Sequence, residues 1–117
     1  MMAMADAAEE LLDSGAATPE EIDYAVKTSV GVRLGVVGIF QSLDFNGLDL
    51  IAGDRTLDEL PAYLRTKIES GDLGVKTGRG FYEYEKDSPL ETLKRRDRSY
   101  LAALWALEES SGFRPIH

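Results

Sequence analysis

The sequence holds 117 residues, 44% of them hydrophobic, with a formal net charge of −8; that suits one domain with its own core and excludes a disordered tail. The acidic balance argues against nucleic acid as a partner, because duplex affinity comes from neutralising phosphates. No apolar run approaches the roughly 20 residues needed to cross a bilayer, and the lack of cysteine excludes disulfides and thiolate chemistry and fits a cytoplasmic location.

Met1 to Ser14 reads as a helix. Met1, Met4, Ala8, Leu11 and Leu12 recur at helical spacing, and Gly15 is placed to cap the end. Asp6, Glu9 and Glu10, with no early Lys or Arg, are unlike the basic start of a secretory signal. Thr18-Pro19-Glu20-Glu21 predicts the next helix: Thr18 as cap, Pro19 at the first helical position, Glu21 completing a capping box. Its apolar face is Ile22, Ala25, Val26 and Val30, and Gly31 is expected to end it. Val32 to Phe45 is apolar nearly throughout and has the composition of a buried strand, with Gly35 and Gly38 weakening a helix. A helix from about Val37 is expected nonetheless, because a lone strand has no partner elsewhere. Asn46-Gly47 marks a turn, Leu48 to Ala52 continues helically, and Gly53-Asp54 breaks it.

Thr56-Leu57-Asp58-Glu59 offers a second capping box, and Pro61 restarts a helix at its own first position. Tyr63, Leu64 and Ile68 are its expected buried face, and Gly71 closes it. Asp72 to Tyr84 is irregular, with Gly74, Gly78 and Gly80 along it. Ser88-Pro89-Leu90-Glu91 repeats the capping pattern, and a last helix runs to about Ser110 on a stripe of Leu90, Leu93, Tyr100, Leu101, Leu104 and Leu107. Five or six helices, short connections and no convincing strand pair define an all-α class, a compact bundle.

Three stretches together resemble the C-terminal domain of the L-3-hydroxyacyl-CoA dehydrogenase (3-hydroxybutyryl-CoA dehydrogenase) family. They are Gly15 to Tyr24; Gly38 to Asp49, which is similar to that family's Gly-Pro-Phe-Glu segment; and Gly71 to Tyr84, with Lys76-Thr77-Gly78-Arg79-Gly80-Phe81-Tyr82 the most specific. Ile39 and Gln41 stand where the family carries proline and glutamate, which bears on the substrate more than on the fold. The resemblance implies a 6-phosphogluconate dehydrogenase C-terminal-domain-like architecture. It makes residues 1–117 a substrate-binding and dimerisation domain, with a homodimer and an acyl-CoA substrate. It further implies NAD as cofactor of the full-length enzyme, held by a Rossmann domain that this chain lacks. Gly74 to Gly80 has the wrong spacing for a Gly-x-Gly-x-x-Gly turn and no preceding strand. The family's catalytic histidine belongs to that other domain, so the isolated chain is expected to be inactive and to bind no cofactor.

The chemistry-bearing residues weigh as follows. His117, the one histidine, ends the chain and reads as a solvated tail residue. Lys76 and Arg79 form a basic pair that could meet the anionic CoA end of a substrate, or the partner subunit. The blander role, a loop whose glycines turn Phe81 and Tyr82 back onto the core, weighs more. Lys94, Arg95, Arg96 and Arg98 could bind phosphate, but read better as a solvated face with Glu91 paired to Arg95. Phe40, with Val37, Leu43 and Phe45, could line an acyl pocket or a dimer seam. Asp13, Asp44 and Asp49 suit caps and turns rather than a metal set. The expected substrate contacts are therefore Lys76, Arg79 and Phe40, with no catalytic, cofactor or metal residue. The alternatives are a helical interaction module, or the same domain of a sibling hydroxy-acid dehydrogenase such as an L-gulonate dehydrogenase.

Overall fold

A computed structural model describes residues 2–85 and 88–117. Six α-helices follow in order: α1 Met2–Asp13, α2 Pro19–Thr28, α3 Val30–Asn46, α4 Leu48–Ala52, α5 Ala62–Glu69 and α6 Pro89–Ser110. Single 3-10 turns lie at Leu57–Glu59 and Val75–Thr77. Among the described residues there is no strand, only isolated bridges from Arg79 to Gly74 and to Glu83. Helix α3 is the axis: α2, α4 and α6 pack against it, and α5 packs on α4.

Local signals account for some boundaries and tertiary packing for others. At α2 the capping box forms as expected: Glu21 N donates to Thr18 Oγ1 at 3.2 Å, and Thr18 N to Glu21 Oε1 at 3.3 Å. The helix stops at Thr28, however, not at Val30. Ser29 leaves helical conformation (φ −131°, ψ −93°), and its amide and hydroxyl turn back to the carbonyls of Val26 and Ala25. Gly31 thus lies inside α3, which begins at Val30 and not near Val37. Helices α2, α4 and α6 pack against it along its length, although Leu34, Ile39 and Phe40 keep an exposed side. Packing overrides the weak propensity of its glycines. The helix kinks at Gly38 (φ 72°, ψ −168°), a conformation glycine adopts freely.

The other two capping boxes do not form. Thr56 makes no side-chain cap bond and leads only into the 3-10 turn. Pro61 stands one position earlier than expected, as the extended N-cap of α5 (φ −61°, ψ 150°). Arg65 ties the two together: its guanidinium donates to Leu57 O at 2.9 Å and Leu60 O at 2.8 Å. At Ser88 the carbonyl, not the side chain, receives the Glu91 amide at 3.2 Å. Glu91 pairs with Lys94 at 3.6 Å, and Arg95 turns to Glu85 at 3.6 Å, so the expected Glu91–Arg95 pair is replaced.

Leu48, Ala52, Leu60 and Leu64 form the buried cluster, with Leu43, Ile51, Ile68 and Phe81 packed around it. It sits at the α4–α5 end. The molecule as a whole is a slab of 50 × 32 × 17 Å with a radius of gyration of 17.5 Å, against about 13 Å for a spherical chain of this length. Little more than one helix diameter of roughly 10–12 Å fits across the thin dimension. Ile39, Leu50, Leu101 and Trp105 consequently stay exposed.

Candidate functional site: the Asp44 clasp and its aromatic recess

Asp44 stands near the end of α3 and is 1% exposed, the sole buried charged side chain among the described residues. Such a carboxylate persists only when its oxygens are satisfied. Here they accept from Phe81 N at 2.9 Å, Tyr82 N at 3.1 Å and Tyr84 Oη at 2.6 Å. Asp44 is therefore not the turn residue its spacing suggests; it clasps a segment about forty positions later. The loop reaches it because two positions carry no side chain. A β-carbon at Gly74 would fall on Asp44 O, and one at Gly80 on Asp44 Oδ1. The loop then closes on itself: Gly74 N donates to Arg79 O at 2.8 Å and Arg79 N to Gly74 O at 3.1 Å. Leu48 N, at the start of α4, donates to Leu73 O at 2.9 Å, which joins the loop to the core. Burial, reinforced by the Asp44 carboxylate, pushes the Tyr84 phenol well above its ordinary range.

The clasp sets the direction of Phe81. Its ring lies 4.9 Å from that of Phe40, tilted by 57°, and 6.1 Å from that of Tyr63. The Lys67 ammonium sits 5.0 Å from the Phe81 centroid and donates to Gly80 O at 2.9 Å. Phe40, Tyr63 and Phe81 line an open apolar recess of about 310 Å³. Phe40 is 51% exposed and Tyr63 55% exposed. Tyr63 was expected on the buried face of α5; it is half exposed instead, with only the Phe81 ring of the loop beside it.

The three expected substrate contacts are not gathered at one place. Phe40 lines the recess; Lys76 and Arg79 do not. The Lys76 ammonium lies 2.7 Å from both Asp49 oxygens, and its hydrogen bond holds the Asp49 carboxyl below the usual range. Arg79 faces Glu83 at 3.7 Å. Both cations thus already meet a carboxylate. His117 is exposed at the end of the tail. Lys67 and Tyr63 escaped the sequence reading as site residues. Phe81 was visible there only as a residue of the glycine loop.

The family model of the 3-hydroxyacyl-CoA dehydrogenase, C-terminal domain, matches residues 1–84, ending at Tyr84 of the clasp. The chain is 33% identical over 81 residues to a 3-hydroxybutyryl-CoA dehydrogenase of Mycobacterium tuberculosis, covering 63% of this chain and 28% of that protein. It is 34% identical over 85 residues to the mitochondrial hydroxyacyl-coenzyme A dehydrogenase of Homo sapiens, covering 64% and 26%. A 5-formyl-3-hydroxy-2-methylpyridine 4-carboxylate 5-dehydrogenase of Mesorhizobium japonicum is 24% identical over 107 residues, covering 85% and 35%. No solved structure matches significantly. The chain spans between 26% and 35% of the length of these relatives. The matched stretch takes in both halves of the clasp, Asp44 and the loop it holds, and the chain belongs to the 3-hydroxyacyl-CoA dehydrogenase C-terminal domain family.

Proposed function

We propose that residues 1–117 form the substrate-binding and dimerisation domain of an NAD-dependent 3-hydroxyacyl-CoA dehydrogenase. Family membership supports the oxidoreductase class, and the names of the mycobacterial and human relatives support a hydroxyacyl thioester as substrate. The recess of Phe40, Tyr63 and Phe81 is the observation that carries the reading. Hydrocarbon is recognised by apolar area, at about 0.8 kcal/mol per buried methylene. An aromatic wall held rigid by a buried carboxylate suits an acyl chain. Lys76 and Arg79 remain the candidates for the anionic CoA end. The Arg79–Glu83 pair, at 3.7 Å and exposed, exchanges for phosphate at less cost than Lys76–Asp49.

NAD supplies the hydride acceptor in such an enzyme, but the residues of this chain do not fit its pyrophosphate. The amides of Gly74, Thr77, Gly78, Arg79 and Gly80 are spent within the loop, and those of Phe81 and Tyr82 on Asp44. A phosphate cradle needs such amides free. We therefore assign this chain binding and the exclusion of water, and no step of proton or hydride transfer. The pairing half of the proposal, a homodimer, is supported by the apolar side chains left exposed along the slab. No helix among the described residues is long and apolar enough to cross a membrane, and we set the enzyme in the cytoplasm.

The test is reduction of acetoacetyl-CoA by NADH, in the polypeptide or complex that also carries the dinucleotide domain. Phe40→Ala should raise KM with a smaller effect on kcat. Unchanged kinetics would remove the recess from the substrate path. A second reading is favoured by the Mesorhizobium relative, whose match covers more of this chain than the thioester enzymes do, and by Ile39 and Gln41. It makes the substrate a hydroxylated carboxylate instead. Turnover of such an acid without turnover of acetoacetyl-CoA would select it.

A further inference from the structure

Where α6 lies along α3, the two helices leave a groove of about 570 Å³, separate from the Phe40 recess. Its floor is apolar, from Val37 and Phe45 of α3, and Gln41 closes it from the same helix. The opposite wall carries Thr92, Arg95 and Ser99, which fall on one face of α6 at spacings of three and four. Helix α6 lies beyond the 84 residues that the family model matches. The groove therefore forms where the matched stretch meets a helix outside it.

Two features distinguish it from a packing gap. The Thr92 hydroxyl oxygen is buried and has no hydrogen-bond partner among the described residues, a costly arrangement unless a ligand or solvent meets it. Arg95 is only loosely engaged: Glu85 is 3.6 Å away and both side chains are more than half exposed, so the pair holds it weakly. Its neighbour Arg96 is committed elsewhere, with its guanidinium 4.7 Å from the Phe45 centroid and 3.0 Å from Asp97. The groove thus offers one guanidinium fork, the Thr92 hydroxyl and an apolar floor, the Ser99 hydroxyl being spent on the Arg95 carbonyl at 3.1 Å.

Charge then selects the ligand. Glu83 and Glu85 stand on the rim of the same groove. A dianionic phosphate would meet two carboxylates against one available guanidinium. A monocarboxylate can replace Glu85 on Arg95 at equal charge, with the bidentate geometry that guanidinium favours. We propose that the α3–α6 groove binds a small monocarboxylate with a flat apolar body, its anionic end on Arg95 and the Thr92 hydroxyl and its body on Val37 and Phe45. The site is read out by binding alone, so it stands whichever dehydrogenase substrate proves correct.

The test titrates benzoate, and separately inorganic phosphate at matched ionic strength, into the isotope-labelled chain, followed by amide NMR. Benzoate should give saturable shifts confined to Gln41, Thr92, Arg95, Ser99 and their neighbours, and phosphate should not. Arg95→Gln, at an exposed position, should weaken benzoate by about tenfold or more, the worth of a charge-assisted bond. Thr92→Val, which keeps the shape, should weaken it by roughly fivefold. Non-saturating or scattered shifts, phosphate binding as well as benzoate, or undiminished binding by Arg95→Gln with the spectrum otherwise preserved would each overturn the proposal.

Discussion

Replacing Asp44 by asparagine keeps the volume of the side chain and removes its charge. The carboxylate accepts three bonds, from Phe81 N, Tyr82 N and Tyr84 Oη, at 2.6 to 3.1 Å. Asn offers one acceptor oxygen and one donor amide. The oxygen can keep Phe81 N, but the new amide then faces Tyr82 N, donor against donor. The Tyr84 hydroxyl can rotate to accept and keeps a neutral bond. One charge-assisted bond is lost with its amide orphaned and another is weakened, together about 3 kcal/mol. A domain of this kind holds about 5–15 kcal/mol in all, so the variant should fold but melt early. With an unfolding entropy near 0.25 kcal/mol/K for this length, Tm should fall by about 12 °C. Thermal denaturation by circular dichroism gives the first reading. Hydrogen exchange gives the second: the Phe81 and Tyr82 amides should exchange about a hundredfold faster, with α4 and α5 opening alongside. A Tm within about 2 °C of the parent, or unchanged protection at those two amides, would refute the clasp as the feature that holds the loop.

Gly80→Ala puts a methyl on Asp44 Oδ1 and should cost about 1–3 kcal/mol by overpacking, read as a lower Tm with the helical spectrum retained. Of the five tyrosines, Tyr84 should ionise last in an alkaline absorbance titration, and Tyr84→Phe should abolish that late step. Because its folded pKa is raised, its contribution to stability is complete below the ordinary value of 10.0 and drains away as pH rises through the folded value. Asp49 has the opposite sign. Its depressed carboxyl adds stability above the ordinary 3.8 and loses it as pH falls through the folded value. Lys76→Ala should move the Asp49 titration, followed by NMR, up toward 3.8; an unmoved titration would show that Lys76 is not the cause.

The class of fold and most element boundaries were legible because helix signals are local. Thr18 caps α2 through residues three positions away, and the stripe on α6 repeats within two turns. The same locality misled where a neighbour in space outweighed a neighbour in sequence. Thr56 and Ser88 have the residues for capping boxes, yet their backbone carbonyls, not their side chains, receive the amides of Glu59 and Glu91. Arg95 turns from Glu91 to Glu85, and Tyr63, expected in the core, instead meets Phe81 from a distant loop at the surface. The glycine loop announced a family but not its purpose. That purpose depends on Asp44, whose partners lie 37 to 40 positions along the chain. Hydrogen-bond propensity and period act over a few residues, so an all-helical chain of five or six helices could be read from local signals alone. Which buried carboxylate would be satisfied, and which aromatic rings would meet around it, is decided only when chain segments that share no local signal are brought within 3 Å.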